Sequence, residues 1–139
     1  MKLLMGALLC ALAASSAMGE EMQLLRYQEL IHRKPDHEAT NVRVWKIRQD
    51  AMSRVHLVEM SGPLAMHKHP DASHSILVLE GSVRAQVGDK TMDLVVGDYL
   101  SIPANVPHRY WTLTPKAYVV SMDAPYYDPA KTITLEHNP

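Results

Sequence analysis

Residues 62–81 read GPLAMHKHPDASHSILVLEG, and this stretch decides the fold. Near its centre, His67 and His69 stand two positions apart with Lys68 between them. Side chains two apart in a strand point to the same face of a sheet, so both imidazoles project together while Lys68 points away. Two such histidines can reach one metal ion, although a merely polar strand face shows the same pattern.

The same stretch continues into a predicted strand, residues 74–80, that opens with His74. Pro70-Asp71 before the strand and Gly81-Ser82 after it are residues typical of strand ends. In an unbroken strand His74 would face away from His69, but the break at Pro70-Asp71 resets the alternation. A histidine at the buried start of an apolar strand needs a polar partner, because unsatisfied polar burial is costly. A shared metal ion or a backbone carbonyl would satisfy it.

A second stretch, residues 97–108, reads GDYLSIPANVPH and ends in another candidate ligand. A glycine turn is followed by a short strand, a loop bounded by Pro103 and Pro107, and then His108. Because proline fixes φ, this loop defines where His108 enters the next strand. The alternative is an exposed loop histidine.

The rest of the chain favours an all-β architecture. Turn residues recur about every eight to twelve positions between short apolar segments, as in barrels and sandwiches. The predicted strands are 42–49, 54–60, 74–80, 83–87, 91–96, 99–102, 107–113, 116–122 and 131–136. Ahead of them, Leu24, Tyr27, Leu30 and Ile31 recur at helical spacing, which predicts a short helix over residues 22–33.

Residues 1–19 have the three parts of a secretory signal peptide. Lys2 precedes an apolar run, residues 3–14, and small residues lead to Gly19. The run is too short to span a bilayer, which takes about 20 apolar residues. We therefore expect export to the periplasm or the extracellular space with cleavage near Gly19; an N-terminus that is never cleaved is the alternative. The expected plan is a signal peptide (1–19), a helix and linker (20–40) and a β-barrel domain (41–139).

Composition excludes several functional classes. Cleavage near Gly19 would change the formal net charge from −1 to −2, because only Lys2 is lost, and no basic patch suggests nucleic acid as a partner. A hydrophobic fraction of 47% excludes a disordered chain. No later segment is long and apolar enough to predict a membrane span, so no membrane partner is expected.

Together, the two stretches resemble the two sequence motifs of the cupin superfamily. The first family motif joins a glycine, His-x-His, a glutamate and a second glycine, and its positions here are Gly62, His67, His69, His74 and Gly81. The second joins a glycine, Pro-x-Gly and a histidine, and its positions here are Gly97, Pro103, Asn105 and His108. Asn105 replaces a family glycine, and asparagine tolerates the left-handed conformation well. His74 replaces the family glutamate, as in cupins that have four histidines.

The resemblance implies a single-domain cupin β-barrel, the double-stranded β-helix or jelly roll. It also implies that His67, His69, His74 and His108 meet inside the barrel on one divalent ion, which is Mn, Fe, Ni, Cu or Zn. Four neutral imidazoles would leave the ion its full charge of about +2. The expected pocket walls beside it share the faces of His74 and His108, and they are Ile76, Val78, Tyr110 and Thr112. Ordinary core packing is the alternative for these four residues.

Two functions fit such a site, and the alternative to both is a structural metal ion that only stabilises the barrel. The first is a metal-dependent enzyme acting on a small molecule, with dioxygenase, isomerase and lyase chemistry all represented in the family, and it rests on analogy. The second is a small-ligand binding or sensing protein with the same metal site, which the lack of an evident acid–base pair favours. We also predict a homodimer, because Leu77 and Leu79 oppose Ile76 and Val78, so that both faces of one strand require burial.

Overall fold

The computed structural model describes residues 22–125 and 128–135, which form two antiparallel sheets. The strands are β1 (His37–Ala39), β2 (Val42–Gln49), β3 (Arg54–Met60), β4 (His67–Lys68), β5 (Ser73–Glu80), β6 (Val83–Val87), β7 (Lys90–Leu94), β8 (Tyr99–Ile102), β9 (His108–Thr112), β10 (Ala117–Ala124) and β11 (Ile133–Thr134). The first sheet has the strand order β1-β2-β3-β10-β5-β8, and the second has the order β11-β4-β9-β6-β7. The predicted all-β architecture is confirmed.

The main core lies between the two sheets. Alternate residues of β10 are buried, from Ala117 and Val119 to Ser121 and Asp123, because successive side chains of a strand point to opposite faces. Ala117 and Val119 pack in one cluster with Val83 and other residues of the second sheet. The apolar half of this inner face therefore forms the core, and its polar half, beginning at Ser121, faces the histidines described below.

A smaller cluster covers the outer face of the first sheet. Trp45 and Leu57 pack there against Leu30 of the helix α1 (Tyr27–Leu30), and the Trp45 indole Nε1–H donates to the Arg33 carbonyl at 2.9 Å. The prediction of a short N-terminal helix is confirmed, but its extent over residues 22–33 is wrong. Leu24, in the first turn that the apolar spacing predicts, is 70% exposed.

Most strands lie within two residues of their predicted bounds; β1 and β4 were not among the predicted strands, and the predicted strand 131–136 differs most. The sequence did not predict β1, since its three residues are all exposed and show no apolar alternation. The predicted strand over residues 131–136 begins instead as a 3-10 helix (Pro129–Lys131) and continues as β11. The Asp128 side chain accepts the Ala130 backbone N–H at the start of this helix, and Pro129 fits its first turn.

Some predictions concern parts of the chain or assemblies beyond these strands. The predicted signal peptide, residues 1–19, lies outside the described residues. Among residues 22–125 and 128–135, no helix has the length and apolarity needed to cross a membrane. Leu77 and Leu79 are half-buried on the outer face of β5, and the homodimer stays a prediction.

Candidate metal-binding site

Both sheets contribute to the histidine cluster. His67 opens β4, which lies between β11 and β9, and it pairs directly with His108 at the start of β9. His69 follows β4 immediately. His74 belongs to β5 of the opposite sheet, where its cross-strand partner on β10 is Asp123. The four histidines therefore approach one region of the interior from two layers.

The four imidazole rings converge. Ring centroids are 4.5 Å apart for His67 and His108, 5.1 Å for His67 and His69, and 5.2 Å for His69 and His108. The ring of His74 lies 4.9 Å from that of His69 and 5.0 Å from that of His108. His69, His74 and His108 are buried, and His67 is half-buried. The structure thus brings together all four residues that the sequence predicted as ligands.

Hydrogen bonds orient three of these rings. His67 Nδ1 lies 2.9 Å from the Ala65 carbonyl, and His108 Nδ1 lies 2.9 Å from the Val106 carbonyl. A carbonyl only accepts, so each Nδ1 carries the proton and each Nε2 keeps its lone pair. His108 Nε2 is buried and has no hydrogen-bond partner among the described residues. Such a lone pair is an available metal ligand.

The third orienting group is Asp123, which the sequence analysis did not single out. His74 Nδ1 lies 2.7 Å from Asp123 Oδ1, and Arg54 lies 3.8 Å from Asp123 Oδ2. A carboxylate behind a metal-binding histidine fixes its orientation and raises its basicity. It also places one negative charge beside a site for which the sequence predicted neutral ligands only. The inward position of Asp123 on β10, two residues after Ser121, is the sequence signal that could have identified it.

Burial keeps three of the candidate ligands, His67, His69 and His108, uncharged. Burial, together with the adjacent His74 ring, lowers the pKa of His69 to about 4 and that of His108 to about 3. Burial also lowers the pKa of His67. For Asp123 burial acts in the opposite direction, but the hydrogen bond from His74 and nearby positive charge lower its pKa overall. Near pH 7 these three histidines are therefore neutral, which is the form that binds metals.

The donor set fits a metal ion. Ligand atoms of His67, His69 and His108 lie within 4.8 Å of one another, as do those of His69, His74 and Asp123. The two groups share His69 and together contain all four predicted ligands. A bound ion would use the unpartnered Nε2 of His108 and the Nε2 atoms of His67 and His74, whose Nδ1 atoms are held by the Ala65 carbonyl and by Asp123. Buried groups of this chain could therefore hold a divalent ion.

The loop before His108 is tied to the loop after β4. Asn105 has a φ of 65°, as its place in the family motif predicts, and its backbone N–H donates to the His69 carbonyl at 2.7 Å. The Gly88 N–H donates to the Pro107 carbonyl at 2.8 Å. These two bonds fix the loop on both sides before the chain enters β9 at His108.

A cavity of about 90 Å³ adjoins the rings. Its walls include His67, His74, Ile76 and Tyr110, of which the last two were predicted as pocket residues. The other two predicted pocket residues lie elsewhere: Val78 is buried in the main core, and Thr112 stands at the end of β9 outside the lining.

Tyr110 contributes a buried hydroxyl group to the wall of this cavity. It is 3% exposed, and its hydroxyl has no hydrogen-bond partner among the residues that the structure describes. Its ring centroid lies 5.8 Å from that of His108 and 6.1 Å from that of His74. Burial raises the pKa of Tyr110, so the hydroxyl stays protonated and can donate a hydrogen bond to a ligand in the cavity.

Comparison with known proteins identifies the family. A family model described as Cupin domain matches residues 55–122, which contain all four histidines and Tyr110. Residues 55–122 of this chain form a cupin domain, and the predicted resemblance to the cupin superfamily is confirmed.

Individual relatives are distant. Quercetin 2,3-dioxygenase of Bacillus subtilis (strain 168) is 36% identical over 56 residues, which cover 40% of this chain and only 17% of that enzyme. The structure of KdgF from Halomonas sp. aligns with a TM-score of 0.70 at 14% identity, over 80% of this chain and 99% of that one. An uncharacterized protein with a double-stranded β-helix domain from Klebsiella pneumoniae aligns with a TM-score of 0.68 at 19% identity, over 84% of this chain and 100% of that one. These structural likenesses define the jelly-roll fold.

Proposed function

We propose that this protein is an exported cupin that binds one divalent metal ion through His67, His69, His74 and His108 and acts as a metal-dependent enzyme on a small molecule. The observation that carries the proposal is the convergence of four imidazoles around the buried, unpartnered Nε2 of His108, next to a small cavity. The segment similar to quercetin 2,3-dioxygenase favours dioxygenase-like chemistry among the reactions that such a site supports. When bound, the ion would supply Lewis-acid polarisation of a ligand oxygen.

The residues of the chain supply orientation and exclusion of water. Carbonyl groups and Asp123 hold the histidine rings, so the site needs little rearrangement when a ligand enters. Ile76 and other apolar walls leave the cavity with few polar groups, which strengthens any electrostatic interaction inside it. The Tyr110 hydroxyl would donate to an oxygen of the bound molecule, because it has no partner among the described residues. Donor and histidines together define a site for a small oxygen-bearing ligand.

A second function is a non-catalytic binding or sensing cupin with the same metal site. The observation that favours it is the composition of the cavity wall. No Asp, Glu or Lys is among the residues that line the cavity, so Tyr110 and the histidines are its titratable groups. General acid–base catalysis usually needs a titratable side chain within hydrogen-bond reach of the substrate, and histidines that hold a metal ion do not serve as one.

Metal content tests the site. The chain is stripped with a chelator, reloaded separately with Mn, Fe, Ni, Cu and Zn, and measured by elemental mass spectrometry. We expect one ion per chain for the natural protein and for the control His32→Ala, whose histidine is exposed and outside the cluster. His108→Ala should bind at least tenfold more weakly. Equal loading of His108→Ala and the natural protein would contradict the site.

Activity separates the two functions. Loaded protein is assayed in an oxygen electrode with small enol-type and catechol-type molecules, and the molecules are recovered afterwards. Oxygen uptake with conversion would support the enzyme. A ligand that raises Tm but is recovered unchanged, with no turnover for any of the five metals, would support the binding protein. N-terminal sequencing of protein from the periplasm or the medium tests export, which requires a chain that begins near residue 20.

A further inference from the structure

A second and larger pocket, of about 350 Å³, opens on the same inner face of the first sheet. Its walls include Lys46 of β2, Arg54 and His56 of β3, and Asp36 just before β1. Pro129, from the 3-10 helix, closes one side. Four of these five wall residues carry polar or titratable side chains, whereas the walls of the cavity beside the histidines are mainly apolar.

The two spaces are neighbours along β3. Arg54 and His56 line the larger pocket, while Val58 and Met60, the next inward residues of the same strand, line the smaller cavity. Across the sheet His56 pairs with Ser121, which also lines the smaller cavity. The two spaces are therefore adjacent along β3.

His56 faces this pocket without a protein partner. It is 7% exposed, and its ring makes no hydrogen bond to the residues that the structure describes. Burial, followed by the positive charge of Arg54, lowers the pKa of His56 to about 4. The ring is therefore neutral at pH 7 and has one N–H donor. A buried ring of this kind usually has a hydrogen-bond partner, which here would be the pocket's occupant.

Two cationic side chains, Lys46 and Arg54, and one acidic side chain, Asp36, line the pocket. The Lys46 ammonium has no ion pair within the described residues. The Arg54 side chain is 13% exposed and lies 3.8 Å from Asp123, whose other oxygen is bound by His74. Asp36 is the one acidic residue in the lining, and it is exposed, with its Oδ2 accepting the Lys46 backbone N–H at 2.7 Å. Apart from Asp36, the polar side chains that line the pocket are cationic or neutral.

We infer that the pocket between Lys46, Arg54 and His56 binds the carboxylate of a small organic acid whose other end lies in the cavity beside the histidine cluster. The inference deepens the proposed function and rests on it for the metal-facing end alone. Arg54 suits a carboxylate because its planar guanidinium matches two oxygens, and Lys46 adds a charge at the mouth. Asp123 joins the two sites physically, since it contacts both Arg54 and His74.

Calorimetric titration of the full chain with succinate at pH 7 and low salt tests the carboxylate site. Neutral succinamide and inorganic phosphate are the other probes. Lys46→Gln removes the ammonium, and Lys90→Gln, an exposed lysine on β7 of the other sheet, is the matched control. We expect the natural protein and Lys90→Gln to bind succinate alike, Lys46→Gln to bind it roughly tenfold more weakly, and succinamide not to bind. The assignment would be overturned if Lys46→Gln bound succinate as tightly as the natural protein does. It would also be overturned if succinate binding did not saturate or if the natural protein preferred phosphate.

Two further measurements separate this site from the metal proposal. Succinate should still bind chelator-treated protein and His108→Ala, because none of the pocket's walls is a candidate metal ligand. If no metal binds at all, the proposed function fails while this titration still decides the carboxylate site. In Mn-loaded protein the methylene protons of bound succinate should relax faster than in Zn-loaded protein, and Lys46→Gln should abolish the difference. Saturable binding without faster relaxation would overturn the link between the two sites.

Discussion

Replacing Asp123 by asparagine tests how the site is held together. Asp123 has a side chain that is 5% exposed, and its two oxygens contact His74 at 2.7 Å and Arg54 at 3.8 Å. Asparagine keeps the shape but removes the charge, so the hydrogen bond to His74 weakens and Arg54 loses its counter-charge. A buried hydrogen bond to a charged group contributes about 1.5–3 kcal/mol. For a domain of this size that corresponds to a fall in Tm of roughly 5–10 °C.

Metal affinity should fall as well. Loss of a carboxylate behind a ligating histidine typically costs about 10- to 100-fold in metal affinity, or about 1.4–2.7 kcal/mol. The assay is a competition titration with a chelator of known affinity, alongside thermal unfolding of the metal-free protein. Asp123→Asn should therefore lower both the metal affinity and the Tm of the metal-free protein.

Asp93→Asn is the matched control. Asp93 also contacts an arginine, at 2.6 Å and 2.9 Å from Arg84, but both side chains are about half exposed. Exposed ion pairs contribute little, so this variant should keep both its Tm and its metal affinity. If Asp123→Asn matched Asp93→Asn in both measurements, the reasoning that His74 is oriented by a buried carboxylate would be wrong.

Three other substitutions give clear expectations. Tyr110→Phe should keep Tm and metal content but weaken ligand binding or turnover roughly tenfold, because it removes the unpartnered hydroxyl donor of Tyr110 from the cavity. Calorimetry measures the binding and oxygen uptake the turnover, and unchanged values of both would refute this role. Asn105→Ala should lower the free energy of unfolding in urea by about 1 kcal/mol, whereas Asn105→Gly should leave it unchanged, because φ at this residue is 65°. Equal stabilities of the two variants would exclude a conformational cost at this position. His56→Gln should reduce the stability lost by metal-free protein between pH 7 and pH 5. The folded-state pKa of His56, about 4, lies below its ordinary value of 6.5, so the unfolded chain takes up the proton first as the pH falls. The charged groups that face it are Arg54, Lys46, Asp36 and Asp123. The expected difference is about 1 kcal/mol after allowance for solvent screening, and parallel pH profiles of Tm would contradict it.

The part of the fold that could be predicted from the sequence is the part fixed by local signals. Turn residues and alternation placed β2, β3, β6 and β8 at the bounds that the structure shows. The break at Pro70-Asp71 was enough to turn His74 toward the other three histidines. Asn105 could be assigned a left-handed conformation, because it occupies a glycine position of a recognisable motif.

What could not be predicted depends on which strands become neighbours. Asp123 is a single acid in an apolar strand, and its role appears only when β10 pairs with β5 and brings it beside His74. The larger pocket likewise needs the pairing of β2 with β3, which sets Lys46 opposite His56. Strand β1 was missed because its exposed residues have no hydrophobic pattern, and only its pairing with β2 defines it.

The hydrogen bond from Asn105 to the His69 carbonyl has a consequence for the dynamics of the site. It joins the loop that carries His69 to the loop that precedes His108, although the two are distant in sequence. These loops cannot separate without breaking this bond, and solvent deuterium reaches the Asn105 amide when the bond is broken. The exchange rate of this amide therefore reports how often the two loops come apart.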